Sequence, residues 1–352
     1  MEQNKAMIAM SGGVDSSVAA FLMQKDGFSC CGGTLLLCDE ALTGQATPSP
    51  ATDARAVADR LGIPFYTFDA REDFKCHVVE PFVGAYEAGL TPNPCIFCNQ
   101  RIKFDLLLEK ALSLGCRYIV TGHYARIRQD EKTGRYLLYK APDRQKDQSY
   151  FLAGLSQYQL AHCKFPLGEL TKEQVRAIAQ EQGFSNARKK DSQDICFIPG
   201  GDYVAFMERY RGRPYPEGAY LDANGKEVGR HKGAVAYTLG QRKGLGIAMG
   251  TPVYVCGKDM QANTVTVGAE ELLFSTELVA DNWNFFPFEA LSAPIRVAAK
   301  VRYRHEPQPA TVYPMENGKA RVVFDAPQRA ITPGQAVVLY DGDLVIGSGT
   351  IL

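Results

Sequence analysis

The pattern of hydrophobic and polar positions over the first 200 residues predicts strands that alternate with helices. Short apolar runs predict four strands, at residues 6–10, 31–37, 64–68 and 118–120. Apolar positions at helical spacing predict helices at residues 18–23, 53–61 and 98–114. This alternation is typical of a doubly wound parallel sheet, whose ligands bind beyond the carboxyl ends of the strands.

The pattern changes near residue 205, where glycines recur and short β-branched or aromatic runs replace the helices. These runs predict further strands, at residues 234–237, 253–255, 264–267, 295–297, 310–313, 321–324 and 336–339. Several short strands with turn residues between them predict small barrels or sandwiches. We therefore expect three domains: an α/β domain over residues 1–205, a central β-rich domain over 206–274 and a C-terminal β-barrel over 275–352.

The balance of charged residues limits the classes of protein to which the chain could belong. The 352 residues include 39 Lys and Arg against 39 Asp and Glu, which argues against a wholly basic nucleic-acid binder but leaves room for basic patches. Three candidate patches are residues 188–190, residues 242–243, and the set Lys300, Arg302 and Arg304, although any one of them is by default a solvated face.

No apolar run approaches the length of a membrane span, and the N-terminus does not resemble an export signal. We therefore expect a cytoplasmic protein without a membrane partner. Most of its ten cysteines should then be reduced thiols. Those in or near apolar runs should fill the core, namely Cys30, Cys31, Cys38, Cys116 and Cys256.

A glycine loop, SGGVDSS at residues 11–17, separates the first predicted strand from the first predicted helix. Two glycines let the backbone approach an anion, and the helix start directs free N–H groups and a positive dipole end toward it. Ser11, Ser16 and Ser17 can add hydroxyl donors. The loop lacks the lysine of a Walker A motif. The alternative is a serine-rich helix cap at a strand–helix turn.

Cys95 and Cys98 form a C-x-x-C motif after two prolines, Pro92 and Pro94, that favour a helix start. The helix dipole should lower the pKa of a thiol in the first turn. A zinc knuckle or an incidental pair is the alternative, although no second ligand pair is visible. Cys196 follows the polar run KDSQD, and alone it would equally suit a buried core thiol. The SGGVDSS loop resembles the pyrophosphate-binding loop of the N-type ATP pyrophosphatases, and such a loop together with distant cysteines is what sulfur transfer requires.

Eight strings in this chain occur in the order found in the bacterial tRNA-specific 2-thiouridylases, the MnmA family. They are SGGVDSS, TPNPCIFCNQRIKF, TGHYAR, KDQSYFL, KDSQDICFI, LGQRKGLGI, KVRYR and TPGQ. The resemblance runs from residue 6 to the C-terminus and implies an N-type ATP pyrophosphatase domain of Rossmann-like fold at the N-terminus.

The resemblance implies an ATP-dependent tRNA-uridine 2-sulfurtransferase. ATP, with Mg²⁺, would adenylate O2 of the wobble uridine, position 34, in tRNAs for Lys, Glu and Gln. Sulfur would then displace AMP and give 2-thiouridine, with pyrophosphate as the product of the first step. A cysteine desulfurase relay would deliver the sulfur to Cys196 as a persulfide, and Cys98 would attack it, releasing sulfide or forming a transient disulfide. We expect a monomer.

The resemblance also implies the binding residues. Contacts to ATP would come from Ala9, Met10, Ser11, Gly12, Gly13, Val14, Asp15, Ser16, Leu35 and Gly122, with Asp15 positioning either Mg²⁺ or the loop. Contacts to tRNA would come from Asn93, Pro94, Cys95, His123, Lys146, Asp147, Gln148, Arg302, Tyr303 and Gln335. A basic turn at residues 241–243 is a further candidate.

Cys95 departs from the pattern of many family members, which have Asp at this position. Cys95, Cys98 and Cys196 would therefore suit a [4Fe–4S] cluster whose fourth iron binds sulfide. The usual assignment is the persulfide, in which case Cys95 would take the place of the Asp near the target base. Two other functions stay open. Another ATP pyrophosphatase would leave the cysteines without a role, and a metal- or redox-binding RNA module would leave the loop unexplained.

Overall fold

The computed structural model describes residues 4–44, 50–187, 189 and 195–352. The Thr-, Pro- and Ser-rich stretch at residues 43–51, whose composition predicts a loop, lies outside these residues at positions 45–49. The basic patch at 188–190, apart from Lys189, and residues 190–194 of the string KDSQDICFI also lie outside them. Among the described helices, none is long and apolar enough to span a membrane.

The N-terminal part contains a five-stranded sheet in the order β3-β2-β1-β4-β7, and every neighbouring pair is parallel. Its strands are β1 (Lys5–Ala9), β2 (Ser29–Leu36), β3 (Phe65–Asp69), β4 (Tyr118–Val120) and β7 (Cys163–Lys164), and a hairpin is formed by β5 (Ala125–Gln129) and β6 (Tyr136–Lys140). The predicted doubly wound parallel sheet is confirmed. The strand order reverses between β1 and β4, which is where such sheets bind their ligands.

Helices cover both faces of this sheet. They are α1 (Val14–Lys25), α2 (Glu40–Thr43), α3 (Pro50–Leu61), α4 (Arg71–Phe74), α5 (Glu80–Glu87), α6 (Pro94–Phe97), α7 (Leu107–Ser113), α8 (Ser149–Leu152), α9 (Gln157–Ala161), α10 (Lys172–Glu181) and α11 (Tyr203–Arg211). Lys75–Val79 and Cys98–Leu106 are π-helical and join α4 to α5 and α6 to α7. In β1, Ala6 and Ile8 pack into one core, and Met7 packs into the other, because side chains alternate along a strand.

A four-stranded sheet forms the central part, in the order β10-β11-β8-β9. Its strands are β8 (Gly218–Leu221), β9 (Glu227–His231), β10 (Tyr254–Asp259) and β11 (Thr264–Gly268). The strand predicted at residues 234–237 is wrong, because Ala234–Ala236 is a 3₁₀ turn. Gly233, with φ of 98°, turns the chain out of the sheet, and the Ala234 N–H donates to the Asn263 side chain at 2.9 Å instead of to a strand.

The C-terminal part is a closed six-stranded barrel, as predicted. Its strands are β12 (Phe274–Phe285), β13 (Ile295–Lys300), β14 (Gln308–Pro314), β15 (Ala320–Arg329), β16 (Ala336–Asp341) and β17 (Leu344–Ile351), with 3₁₀ turns at Glu270–Leu273 and Glu316–Gly318. β17 pairs with both β16 and β12 and so closes the barrel. β17 also pairs with β6 through Leu344 and Tyr139, so the hairpin of the N-terminal part extends the barrel sheet.

Candidate active site

The glycine loop joins β1 to α1 and leaves the start of that helix without a side-chain cap. Gly12 has φ of 70°, a conformation that favours glycine, and Gly13 is the cap residue. The hydroxyls of Ser16 and Ser17 donate to the Gly13 carbonyl at 2.9 and 3.1 Å, so they stabilise the loop. Ser11 is exposed. Uncapped N–H groups at the start of a helix fit an anion such as a phosphate.

The predicted ATP-binding residues lie at the carboxyl edge of the sheet. Ala9 is the last residue of β1 and Met10 follows it, Leu35 is near the end of β2, and Gly122 follows β4. A Cβ atom at Gly122 would lie 2.7 Å from the Asp15 carbonyl carbon and 2.9 Å from the Ser16 nitrogen. The glycine therefore lets the turn after β4 pack directly on the first turn of α1.

Asp15 makes an ion pair with Lys172, whose Nζ lies 2.8 and 2.9 Å from the two carboxylate oxygens. The Tyr124 hydroxyl also donates to this carboxylate, at 2.8 Å. Lys172 is buried and lies at the start of α10. Protein donors bond to both carboxylate oxygens, and this geometry supports a role for Asp15 in positioning the loop.

Sequence reasoning missed Asn186, which reaches the loop from the segment after α10. Its amide donates to the Gly12 carbonyl at 3.2 Å and to the Ser17 hydroxyl at 2.9 Å. Its buried Oδ1 has no hydrogen-bond partner among the residues that the structure describes, so it can accept a bond from a ligand. Lys189, noted only as part of a basic run, pairs with Asp53 at 2.7 Å. An asparagine after a helix has no sequence pattern that would have revealed this role.

Cys95 and Cys98 lie at the start of the helical stretch that begins at α6. The Asn93 side chain caps this stretch by accepting from the Cys95 N–H at 3.2 Å, and Pro94 is its first residue. Cys95 is exposed, whereas Cys98 is buried in an apolar cluster with Ile102 and Phe197. Burial raises the pKa of Cys95 and raises that of Cys98 to about 12. The predicted lowering is wrong, because the loss of solvation disfavours the thiolate more than the charge of Lys103 favours it.

Cys196 is exposed, which rules out the buried core thiol considered for it. A hydrogen bond with the Cys38 thiol, followed by burial of the sulfur, raises the pKa of Cys196 well above its ordinary value. The charge of Lys103 acts in the opposite direction on the pKa values of Cys95, Cys98 and Cys196. Lys103 is a second residue that sequence reasoning missed, although it stands in the string NQRIKF.

The proposed iron–sulfur ligands do not fit a cluster in this structure. Within the described residues, no group of three or more His, Cys, Asp or Glu side chains is placed to hold a metal ion. All ten cysteines are free thiols, and Cys98 is turned into the apolar cluster. We therefore derive no chemistry from a metal centre.

His123 contacts the helical stretch that contains Cys98 and follows the turn that packs on the glycine loop. It follows Gly122, its Nδ1 lies 2.7 Å from the Thr121 hydroxyl, and its ring lies 5.9 Å from that of Phe104. Burial, and then the charge of Lys103, hold the pKa of His123 well below 6.5, so the ring is neutral. Because Phe104 lies in the same helical stretch as Cys98, and Leu35 packs against the cluster that contains Cys98, the nucleotide edge of the sheet and this thiol are neighbours.

Residues 146–148, which are expected to contact tRNA, include side chains that make hydrogen bonds inside the protein. Asp147 is buried, and its carboxylate accepts from the N–H groups of Ala141 and Ser149 at 3.0 and 3.3 Å. Gln148 is bonded to the backbone of Tyr124 by both its side chain and its own N–H. Lys146 is half-buried. The hydrogen bonds of Asp147 and Gln148 thus stabilise the conformation of this loop.

Three side chains connect the barrel to the rest of the chain through hydrogen bonds, those of Arg302, Tyr303 and Gln335. Arg302 donates to the carbonyls of Leu239 and Ala330 at 3.1 and 2.9 Å, and the Tyr303 hydroxyl donates to the Asp147 carbonyl at 3.3 Å. Arg302 and Tyr303, which are expected to contact tRNA, therefore make hydrogen bonds inside the protein.

The Gln335 amide donates to the Thr91 carbonyl at 2.7 Å and to that of Pro92 at 3.4 Å. The Thr91 N–H donates to the Pro333 carbonyl at 2.9 Å. The barrel thus holds the two residues that lead into Asn93, Pro94 and Cys95.

Three family models match successive parts of the chain. They are the tRNA methyl transferase HUP domain over residues 4–200, the tRNA methyl transferase PRC-barrel domain over 204–269 and the aminomethyltransferase beta-barrel domain over 275–351. Among solved structures, a 4-thiouridine synthetase–RNA complex with bound ATP has a TM-score of 0.37 at 16% identity, and the match covers 58% of this chain and 50% of that one. A likeness of that size supports no functional inference.

Relatives match over their full length. The tRNA-specific 2-thiouridylase MnmA of Acetivibrio thermocellus is 48% identical over 358 residues, which cover 100% of both chains. The protein of the same name from Clostridioides difficile is 47% identical over 352 residues, which cover 99% of this chain and 98% of the relative. Identity of this extent, with a matching model for each part of the chain, means that the chain belongs to the MnmA family of tRNA-specific 2-thiouridylases.

Proposed function

We propose that this protein is an ATP-dependent tRNA sulfurtransferase that converts the wobble uridine of tRNAs for Lys, Glu and Gln into 2-thiouridine. The observation that carries the proposal is that Leu35, at the same edge of the sheet as the uncapped helix start, packs against the apolar cluster that contains Cys98. Cleavage of ATP would activate the uridine oxygen, and a thiol would deliver the sulfur that replaces it.

In the first step, the N–H groups at the start of α1 would bind the pyrophosphate of ATP while uridine O2 attacks the α-phosphate. Gly12 allows the close approach, and the ion pair between Asp15 and Lys172 fixes the helix start. Mg²⁺, which the family implies, would neutralise part of the charge on the phosphates of ATP.

In the second step, Cys196 would carry the sulfur as a persulfide. Its exposure supports access by a sulfur-donor protein, for which we propose a cysteine desulfurase relay. A second thiol is then needed to release the terminal sulfur, and the family resemblance implies Cys98. Cys95 is exposed and lies three residues after the anchored Pro92, and it would lie beside the flipped-out base.

The proposal includes a monomer that acts in the cytoplasm and binds tRNA with Lys146 and the basic turn at residues 241–243. Arg242 and Lys243 are exposed, and such groups contact phosphates and set the register of the bound RNA.

Pyrophosphate release from ATP tests the first step. We expect release to require a tRNA with uridine at position 34 and to be absent with the same transcript carrying cytidine there. Nucleoside mass spectrometry, with the sulfur donor added, should then detect 2-thiouridine. Equal release with both transcripts, or none with either, would contradict the proposed function.

A further inference from the structure

A lysine from a distant part of the chain lies at the start of α1, although the glycine loop itself contains no lysine. Lys172 is the first residue of α10, and its Nζ lies 2.8 and 2.9 Å from the two carboxylate oxygens of Asp15. Asp15 is the second residue of α1. In a Walker A motif, the lysine of the loop itself contacts the phosphates. Here a lysine 157 residues away along the chain brings a positive charge to the corresponding helix start.

The backbone of Lys172 is fixed by neighbouring groups. Thr171 caps α10 and forms a capping box with Gln174, and the Lys172 N–H donates to the Asp143 carboxylate at 3.0 Å. Side chains of α10 and α1 pack in the same core cluster. Protein groups therefore bond to the N–H groups at the start of α10, whereas the start of α1 has no side-chain cap. An anion at this place would bind to α1.

The ammonium of Lys172 lies where a cation is electrostatically disfavoured. Lys172 is 8% exposed, it begins α10, and its Nζ contacts the first turn of α1, so the positive ends of two helix dipoles act on it. The Asp15 carboxylate offsets this cost, but a buried ion pair contributes little net stability because both groups lose their solvation. The same two helix starts and ammonium would attract a polyanion. Stability therefore explains this lysine less well than a phosphate ligand does.

A second buried side chain at the loop indicates a ligand independently. Asn186 is 6% exposed, and its amide donates to the Gly12 carbonyl at 3.2 Å and to the Ser17 hydroxyl at 2.9 Å. Within the described part of the chain, its Oδ1 has no hydrogen-bond partner. Buried polar atoms are rarely left unpaired in a protein. A nucleotide would supply both donors for this oxygen and phosphates for Lys172.

We propose that Lys172 is a catalytic residue that binds the pyrophosphate of ATP and neutralises the charge that develops on this leaving group. This inference rests on the proposed function. Uridine O2 attacks the α-phosphorus, the bond from that phosphorus to the oxygen shared with the β-phosphate breaks, and its electron pair stays on the pyrophosphate. The N3 proton of the adenylated uridine leaves to water. Lys172 stays protonated throughout and stabilises the leaving oxygen as its charge grows.

Pyrophosphate itself is the probe for the contact. Its Kd and that of AMP are measured by calorimetry on the full chain without divalent cations. K172M keeps the approximate length of the side chain and loses the charge. We expect pyrophosphate binding to weaken by about 10- to 100-fold, the loss of one charge-assisted hydrogen bond, and the Kd of AMP to stay unchanged.

K164M is the matched control for the loss of a lysine. Lys164 is also half-buried or more, in β7 of the same sheet, but its ammonium lies 4.5 Å from the centre of the Tyr118 ring, at the first residue of β4. We expect K164M to bind pyrophosphate and AMP as the wild type does.

The dependence of the rate on the leaving group tests the chemical role. Two ATP analogues, with CF₂ or CH₂ in place of the oxygen between the β- and γ-phosphates, release leaving groups of lower and higher basicity. Without Lys172 the tRNA-stimulated cleavage rate should depend more strongly on that basicity. The ratio of the CF₂ rate to the CH₂ rate should therefore be larger in K172M than in the wild type, whereas a lysine that only holds the helix start would slow both analogues equally.

A second pair of variants separates direct contact from an effect through Asp15. D15N removes a negative charge beside the anion and should bind pyrophosphate, without divalent cations, at least as tightly as the wild type. D15N/K172M contains neither charge of the pair, so it should fold even where K172M does not. We expect it to bind pyrophosphate about tenfold more weakly than D15N. Equal Kd values in these two variants, or equal analogue ratios in K172M and the wild type, would overturn the role of Lys172.

Failure of this inference can be told apart from failure of the proposed function, because the binding measurements need neither tRNA nor the thiols. Uridine-dependent pyrophosphate release by the wild type, together with equal Kd values in D15N and D15N/K172M, overturns the role of Lys172 alone. A wild type that binds pyrophosphate but releases none from ATP with tRNA overturns the proposed function and, with it, the catalytic role of Lys172.

Discussion

At the scale of single residues, the site depends on close contacts that tolerate little change. Gly122 lies against the first turn of α1, and His123 lies between the rings of Phe104 and Phe165. The motifs that contain these residues could be found in the sequence, but their neighbours could not. The contact of Gly122 with Asp15 joins positions 107 residues apart, and no local pattern encodes it.

Replacing Gly122 with alanine should displace the start of α1. The new methyl group would meet the backbone of Asp15 and Ser16 below 3.0 Å, and overpacking of this kind costs about 1–3 kcal/mol. We expect a lower melting temperature and a loss of tRNA-stimulated pyrophosphate release. G84A is the control, because a Cβ atom at Gly84 in α5 meets nothing within 4 Å. Wild-type ATP cleavage by G122A would argue against this contact as a determinant of the site.

Stability should fall on acidification because of His123. Burial lowers the pKa of the folded-state ring below 6.5, so below about pH 6.5 the unfolded chain binds a proton that the folded protein does not. The stabilisation is therefore complete above that pH and decreases as the pH falls. H123F should show a smaller drop in melting temperature between pH 7.5 and pH 5.5 than the wild type.

The exposed His77 supplies the control for this pH series, since H77F should leave the wild-type dependence unchanged. His231 and His305 also have lowered pKa values through burial, so some acid sensitivity will persist in H123F. Identical pH dependence in H123F and the wild type would refute the argument.

At the scale of helices and strands, local patterns predicted most elements of the parallel sheet. The apolar run at residues 118–120 coincides with β4, and the helix predicted at 53–61 lies within α3. The hairpin of β5 and β6 was missed. Its partner β17 comes some 200 residues later, and the two arginines that fix it, Arg126 and Arg144, look like ordinary surface charges in the sequence.

The Asp343 carboxylate should hold this hairpin on the barrel. It accepts from Arg126 at 2.9 Å and also pairs with Arg144. We expect D343N to speed hydrogen–deuterium exchange in residues 125–140 and to lower the free energy of unfolding by about 1 kcal/mol, because charged pairs near a surface contribute little more than that. D341N, at a neighbouring exposed position, should leave exchange unchanged. Equal exchange in both variants would contradict the assignment.

At the scale of the whole molecule, the barrel supports the cysteine loop. The resemblance implied that Gln335 contacts tRNA. In the structure, its amide donates to the carbonyls of Thr91 and Pro92. Sequence reasoning could not separate these roles, because a long-range bond to a backbone carbonyl requires nothing particular of the partner's side chain.

Removing the amide should uncouple the loop from the barrel. Q335M keeps the approximate volume but loses both donors, and we expect slower 2-thiouridine formation with an unchanged Kd for tRNA. Q328M is the control, because Gln328 donates to a carbonyl of its own strand, that of Ala326. A weakened Kd for tRNA with unchanged turnover of the bound complex would instead support a direct tRNA contact.

The several pairings of β17 have a consequence for synthesis on the ribosome. β17 is made after β6, β12 and β16, and all three strands pair with it. The segment that holds the cysteine loop also depends on it, since Gly334 and Gln335 bond to Ile351. Although domains generally fold in order of emergence, the N-terminal part of this chain keeps an unpaired hairpin and an unsupported cysteine loop until β17 has been made. A nascent or prematurely terminated chain can thus form the nucleotide loop without the complete sulfur-transfer site.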